Sequence, residues 1–229
     1  MSSITDYNYV SVFTPEGKVK PLDYIKKTVE LGNVSIALKN NECGVMIGYK
    51  GQLNDISYYN KKVYKINDSS LFTFSGITND GLEIVDYLIK KSVSEEVIRD
   101  RNISHLSVFD DLCVEASFRT MYSGTRLYGV SGLLMTQSEG IRLIEFEPTG
   151  RIREAHAMSI GNRSQSARTI LESEVNSLNE LDLEGLIHVG IAALKNAYPE
   201  SGALNQENID IFCLKDGKTF SVEAQKYLE

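Results

Sequence analysis

The sequence predicts a four-layer α/β/β/α sandwich. Three observations carry this: strand-like runs come in groups joined by hairpin-length turns, helical patterns arrive in consecutive pairs, and no linker interrupts the 229 residues. Strands in runs with short connections favour antiparallel sheets, and paired helices favour one helical layer on each outer face. The four prolines are scattered, no Gly/Ser-rich or charge-rich tract is present, and no repeat recurs at a period of about 20 to 50 residues, so 1–229 reads as a single domain.

The first element is a helix over 18–31. Leu22, Ile25 and Val29 form one stripe and Tyr24, Thr28 and Leu31 an adjacent one, with Pro21 in the first turn and Gly32 as a stop. Four strands follow at 34–39, 43–49, 62–66 and 71–76, separated by Asn, Glu, Asp and Ser clusters suited to turns. Thr78 or Asn79 then caps a helix presenting Leu82, Val85, Leu88 and Ile89 on one face. Its pair, at 102–121, presents Leu106, Phe109, Leu112, Cys113 and Ala116. Strands return at 129–136, 141–147 and 153–160. Helices follow at 164–178 and 183–197, the second capped by Asp182, and strands at 208–214 and 218–222 close the chain around Lys215, Asp216 and Gly217.

Composition narrows the function. The 24 Lys and Arg against 31 Asp and Glu leave a formal charge of -7, which provides no electrostatic footprint for nucleic acid or an anionic membrane. The amino terminus lacks a basic segment followed by an apolar one, and no run approaches the roughly 20 apolar residues of a membrane helix. A soluble, unsecreted protein is expected. Cys43, Cys113 and Cys213 are odd in number and far apart, so they read as reduced, mostly buried thiols rather than a disulfide or metal framework.

Catalytic motifs are missing. No G-x-G-x-x-G, G-x-x-x-x-G-K-[ST] or G-x-S-x-G occurs, so the turns that cradle phosphates or present a nucleophile are lacking. His105, His156 and His188 lie on different elements outside any metal-binding pattern, and Asp110 and Asp111 diverge on one helix. The sequence implies no catalytic residue, no metal and no cofactor.

Four segments together resemble the α-type subunits of the 20S proteasome. FTPEGKVKPLDY (13–24) is similar to the signature that opens those subunits. YYNKKVYKIND (58–68) carries a Lys followed by an apolar residue at the third strand, and FSGITND (74–80) matches Ser-Gly-x-x-x-Asp ahead of a helix. TRLYGV (125–130), LIEFEPTG (143–150) and SIGNRSQSA (159–167) resemble Arg-Pro-Tyr-Gly-Val, Asp-Pro-Ser-Gly and Ile-Gly-x-x-Ser. Within the family, LIEFEPTG followed by IGNRSQSA is most similar to the eukaryotic subunit at the α6 ring position.

The resemblance implies the sandwich of amino-terminal-nucleophile hydrolases with an added N-terminal helix lying across the cleft where substrate enters catalytic relatives. In those relatives an amino-terminal Thr is nucleophile and base, helped by a Lys and an Asp. Here Gly32 or Asn33 matches that Thr in mid-chain, Lys50 matches the Asp and Lys62 the Lys, so the resemblance implies a non-catalytic subunit. It also implies a pocket for the carboxy-terminal tails of activator complexes, built from Lys62 with backbone amides near Gly32 and Gly76, and with Pro15 and Asp23 on the rim. A strand-edge lysine in solvent is the plainer reading of Lys62, and a helix capping its own core the plainer reading of 18–31.

Residues 1–12 correspond to the family's gate tail. Its Tyr-Asp-Arg is represented by Tyr7 and Asn8, followed by Tyr9, without the Arg. Leu127 stands for the Pro of Arg-Pro-Tyr-Gly-Val, and Gly81-Leu82 for an Ala-Arg. The implied partners are other α-type subunits in a seven-membered hetero-oligomeric ring, β-type subunits and activator tails, without nucleic acid or membrane. The implied role is assembly and gating in ubiquitin-dependent and other protein degradation, in cytoplasm and nucleus. The alternatives are a processed amino-terminal-nucleophile hydrolase of the same fold and an unrelated α/β binding protein.

Overall fold

A computed structural model describes residues 13–51, 61–99, 105–122, 125–137, 140–200 and 204–228. Helix α1 (Lys20–Leu31) leads into a hairpin of β1 (Ser35–Lys39) and β2 (Cys43–Tyr49), then a second hairpin of β3 (Val63–Asn67) and β4 (Ser70–Gly76). Helices α2 (Thr78–Arg99) and α3 (His105–Met121) follow, then β5 (Val130–Gln137), β6 (Ile141–Phe146), β7 (Ile152–Ala155) and β8 (Ala157–Ile160). Helices α4 (Ser164–Glu174) and α5 (Leu183–Ala197), strands β9 (Ile209–Lys215) and β10 (Lys218–Val222), and a short α6 (Gln225–Leu228) complete the chain.

The strands form two antiparallel sheets, ordered β10-β9-β2-β1-β8 and β3-β4-β5-β6-β7. Three apolar clusters define the layers. Ala37, Met46, Leu71, Leu133, Met135 and Leu143 fill the space between the sheets. Ile36, Leu38, Val45 and Ile47 turn the other way, onto Leu186, Ile187, Ile191 and Leu194 of α5 and Leu171 of α4. On the far side Phe72, Phe74, Leu134 and Phe146 meet Ile84, Val85 and Leu88 of α2 and Phe109, Leu112 and Ala116 of α3. The period-2 alternation of each strand thus feeds two different layers, and the four-layer sandwich expected from the element order is observed.

Several local expectations change. The expected strand at 153–160 is two strands, β7 pairing with β6 and β8 with β1, so the chain changes sheets at His156, whose carbonyl accepts from Lys39 N at 2.9 Å. An alternating pattern runs through such a corner unbroken, because periodicity reports faces and not which sheet a strand joins. Helix α2 buries Ile84, Val85 and Leu88, whereas Leu82 and Ile89 are on the exposed side. Helix α4 ends at Glu174, four residues early, and Leu178 is buried through a separate 3-10 turn at Leu178–Glu180. Asp182 caps α5 as expected, its Oδ1 accepting from Gly185 N at 2.8 Å.

Cys43 and Cys213 are buried, Cys113 is half-buried, and all three are free thiols. Burial raises the Cys113 and Cys213 thiols to about 11 and 12, away from the reactive thiolate form. Among the described residues no helix is long and apolar enough to cross a membrane and no cluster of side chains is arranged to hold a metal ion.

Candidate functional site

The site lies where α1 hands over to β1, against the end of β4. Gly32 follows α1 with φ -72° and ψ 153°, and its N–H donates to Val29 O at 3.1 Å. It is therefore not a left-handed helix stop. A glycine is needed here for another reason: a Cβ would fall on Ser75 Oγ and within 2.5 Å of Gly76 N. Gly32 also sits in a continuous backbone, its carbonyl accepting from Asn162 N at 2.7 Å. Neither Gly32 nor Asn33 offers a hydroxyl or a free amine. The nearby Ser75 hydroxyl is buried and donates to Val29 O at 2.9 Å.

Lys62 immediately precedes β3. Its Nζ donates to Phe74 O at 2.6 Å and lies 5.8 Å from the centre of the Phe74 ring. Desolvation of this ammonium lowers its pKa from the usual lysine range to about 8. The backbone of Lys62 is held at both ends, its N–H donating to Asp210 Oδ2 at 3.1 Å and its carbonyl accepting from Thr73 Oγ1 at 2.8 Å. Lys50 pairs with the other oxygen of the same carboxylate at 3.1 Å. Lys50 thus helps to hold the carboxylate that fixes the backbone of Lys62.

The ladder explains why Lys62 meets this part of β4. Ile77 N donates to Gly129 O at 2.9 Å, so Gly76 and Val130 form a pair that exchanges no hydrogen bonds, as do Phe74 and Gly132 two residues earlier. Phe74 O and Gly76 N–H therefore point off the opposite edge of β4. Strand β3 covers that edge only as far as Val63, opposite Thr73. Among the described residues no strand continues along that edge beyond it, and Lys62 reaches Phe74 O there. Lys62 and Gly76 are thus brought together with Gly32, whose missing side chain leaves the Gly76 amide uncovered.

One detail of the expected pocket is corrected: the Gly32 amide is consumed by Val29 O and supplies no donor. Pro15, in the turn closed by Gly17 N to Thr14 O, and Asp23, in the first turn of α1, are both exposed. No hydrogen bond or ion pair among the described residues joins either to Lys62. Tyr7, Asn8 and Tyr9 lie outside the described residues. Asp210, which anchors the Lys62 backbone, was not singled out from sequence. It lies 148 positions away on β9, and no local pattern marks it.

Two further motif segments meet beside the site. Asp80 in the first turn of α2 is buried and accepts from Arg126 through both oxygens, at 2.7 and 2.5 Å, and from Gly129 N at 2.8 Å. Burial pushes its carboxyl up, but these donors outweigh it and hold the pKa below the ordinary value. Ser-Gly-x-x-x-Asp and Arg-x-Tyr-Gly-Val are thus two halves of one clamp that fixes Gly76 against Gly129. The departure at Gly81 also has a cause, since a Cβ there would enter the Phe74 ring.

Comparison with known proteins covers this frame. The family model "Proteasome subunit" matches residues 29–214. The chain is 28% identical over 226 residues to the proteasome subunit alpha type-1 of Dictyostelium discoideum, covering 96% of this chain and 91% of that protein. It is 26% identical over 213 residues to the alpha type-6 subunit of Saccharomyces cerevisiae, covering 92% of this chain and 91% of the relative. For the probable alpha type-6 subunit of Schizosaccharomyces pombe the values are 27% over 216 residues, 94% and 79%. Because the family match runs from the last turn of α1 into β9, through both sheets and the site where Gly32, Lys62 and Gly76 converge, the chain belongs to the proteasome subunit family.

Proposed function

We propose that this chain is a non-catalytic α-type subunit of the 20S proteasome core, at the ring position occupied by its alpha type-1 and type-6 relatives. Membership of the family implies assembly with other proteasome subunits. The finer partners are a hetero-oligomeric seven-membered α ring, β-type subunits beneath it, and the carboxy-terminal tails of activator complexes above it. The role is structural support of the ring and control of substrate entry in ubiquitin-dependent and other protein degradation, in cytoplasm and nucleus.

The observation that carries the non-catalytic reading is Gly32. A threonine-type peptidase needs a hydroxyl beside a free α-amine, and the backbone at this position is continuous, hydrogen-bonded on both sides and without a side chain. Lys62 alone performs no peptide hydrolysis. Its ammonium beside the outward Gly76 N–H instead supplies two donors to one anion, the chemistry of terminal-carboxylate capture. Phe74 O holds Lys62 in the absence of a tail and yields the ammonium to a carboxylate, a stronger acceptor.

The test uses the assembled particle. An amino-terminal-threonine-directed electrophile is expected to label accompanying β-type chains and to leave this chain unmodified by intact mass. Covalent modification near Gly32 or Asn33 would restore the hydrolase alternative. For the pocket, Lys62→Ala is expected to weaken binding of an activator carboxy-terminal peptide, and unchanged affinity would remove this pocket from the activator footprint.

A further inference from the structure

A second concavity, of about 490 Å³, lies between α1 and the edge of the sandwich, bounded by the β6–β7 turn and by the segment from β8 into α4. That is within the size range of small-molecule sites. Its lining carries five basic side chains and three acidic ones, in a chain whose formal charge is -7. The pairing within it is uneven. Buried Glu145 is bound by Arg153 through Nε at 2.9 Å and Nη2 at 2.5 Å, and Glu147 lies 3.4 Å from the same Nη2. Arg163 is drawn outward to Glu200 at 3.1 Å and the Tyr198 ring.

Three cations remain. Lys26 on α1 and Arg151 on the β6–β7 turn have no ion pair among the described residues. Arg168 is anchored by its Nε to Ser159 O at 2.9 Å, which leaves both Nη groups unspent. Against them stand Glu30, which has no ion pair among the described residues, and the one negative charge that Arg153 leaves uncompensated on Glu145 and Glu147. With Arg163 drawn to Glu200, the lining keeps an excess of one positive charge, and its three available cations come from three separate elements. The anchored guanidinium is oriented in advance, and such a fork suits phosphate or carboxylate oxygens. Neither this groove nor its cations belong to the Lys62 site.

We propose that the groove beside α1 binds a compact polyanion carrying two or three phosphate or carboxylate groups, held by Lys26, Arg151 and Arg168. Screening should weaken such binding steeply, because each contact is a charge pair at a partly open surface.

The test is equilibrium binding of inorganic tripolyphosphate, and in parallel citrate, to the purified particle containing this chain at low and physiological salt. Particles carrying wild-type chain are compared with a Lys26→Gln/Arg151→Gln double variant. Neither side chain makes a hydrogen bond or ion pair among the described residues, so folding should be unaffected. The expected result is one class of saturable sites in the wild type that is weakened at least tenfold in the variant for the preferred probe. Arg168→Lys, which retains charge but loses the fork, is expected to lower affinity by a smaller factor. The relative affinity for the two probes tells phosphate from carboxylate. Equal affinity of wild-type and double-variant particles, or no saturable binding of either probe, would overturn the proposal.

Discussion

Lys62 shows how one residue type changes role with its surroundings. The ammonium sits over an aromatic ring and against a carbonyl, with a pKa lowered to about 8 by burial. Because the folded value lies below that of an unfolded lysine, the unfolded chain binds more protons between about pH 8 and the ordinary lysine range near 10.5. The stability contributed by neutral Lys62 is thus present at high pH and lost as pH falls through about 8. Binding has the opposite sign, since a carboxylate requires the charged form. Affinity for an activator peptide should be flat from pH 6.5 to 7.5 and should fall above about pH 8, towards tenfold per unit. Lys62→Ala should remove this pH dependence together with about 2 kcal/mol of affinity, measured by peptide titration on the particle. At Gly81 the expected effect is on packing. Gly81→Ala drives a methyl into the Phe74 ring, with an expected destabilisation of about 1–3 kcal/mol, seen as a thermal midpoint several degrees lower.

At the scale of elements, the clamp between α2 and the start of β5 sets the site. Asp80 joins the first turn of α2 to Arg126 and Gly129, and this register places Gly76 opposite Val130. Asp80→Asn keeps the shape but presents an amide N–H to a guanidinium and a backbone N–H. A loss of about 2 kcal/mol is expected, because Arg126 is largely exposed and its share of the pair is screened. A measured change below a few tenths of a kcal/mol in the unfolding free energy would show the clamp to be dispensable. Much of this level was legible in the sequence. Most helices and strands follow from local periodicity and Asp182 from capping chemistry, whereas the short α6 carries too few residues to show a period. The β7–β8 corner and the face of α2 were not, since they depend on which sheet a strand joins and on where the Phe74 ring lies against Gly81. The site was legible in part for the same reason. Lys62, Gly32 and Gly76 were identified through resemblance, whereas Asp210 and Phe74 O enter only through long-range strand pairing.

On the scale of the whole molecule, the outward surface is that of a part rather than a finished particle. Val114, Phe118 and Met121, spaced i, i+4 and i+7 on α3, are 70%, 46% and 67% exposed, and Val93 and Val97 on α2 are 54% and 79%. Leu31 at the end of α1 and Phe13 ahead of it are 82% and 75% exposed. Apolar stripes of this kind mark surfaces that other proteins cover, and a closed ring requires two complementary patches on every subunit. Expressed alone, the chain should self-associate at micromolar concentration, and Phe118→Ser with Met121→Ser should reduce that association in sedimentation velocity while leaving the far-ultraviolet circular dichroism unchanged. The central claim, membership of a large non-catalytic ring, is tested most directly by the native mass and subunit composition of the particle that contains this chain in a gentle extract. The account predicts an assembly many times 25.6 kDa that includes related α-type and β-type chains. A stable monomer or small homo-oligomer, free of such chains, would contradict it.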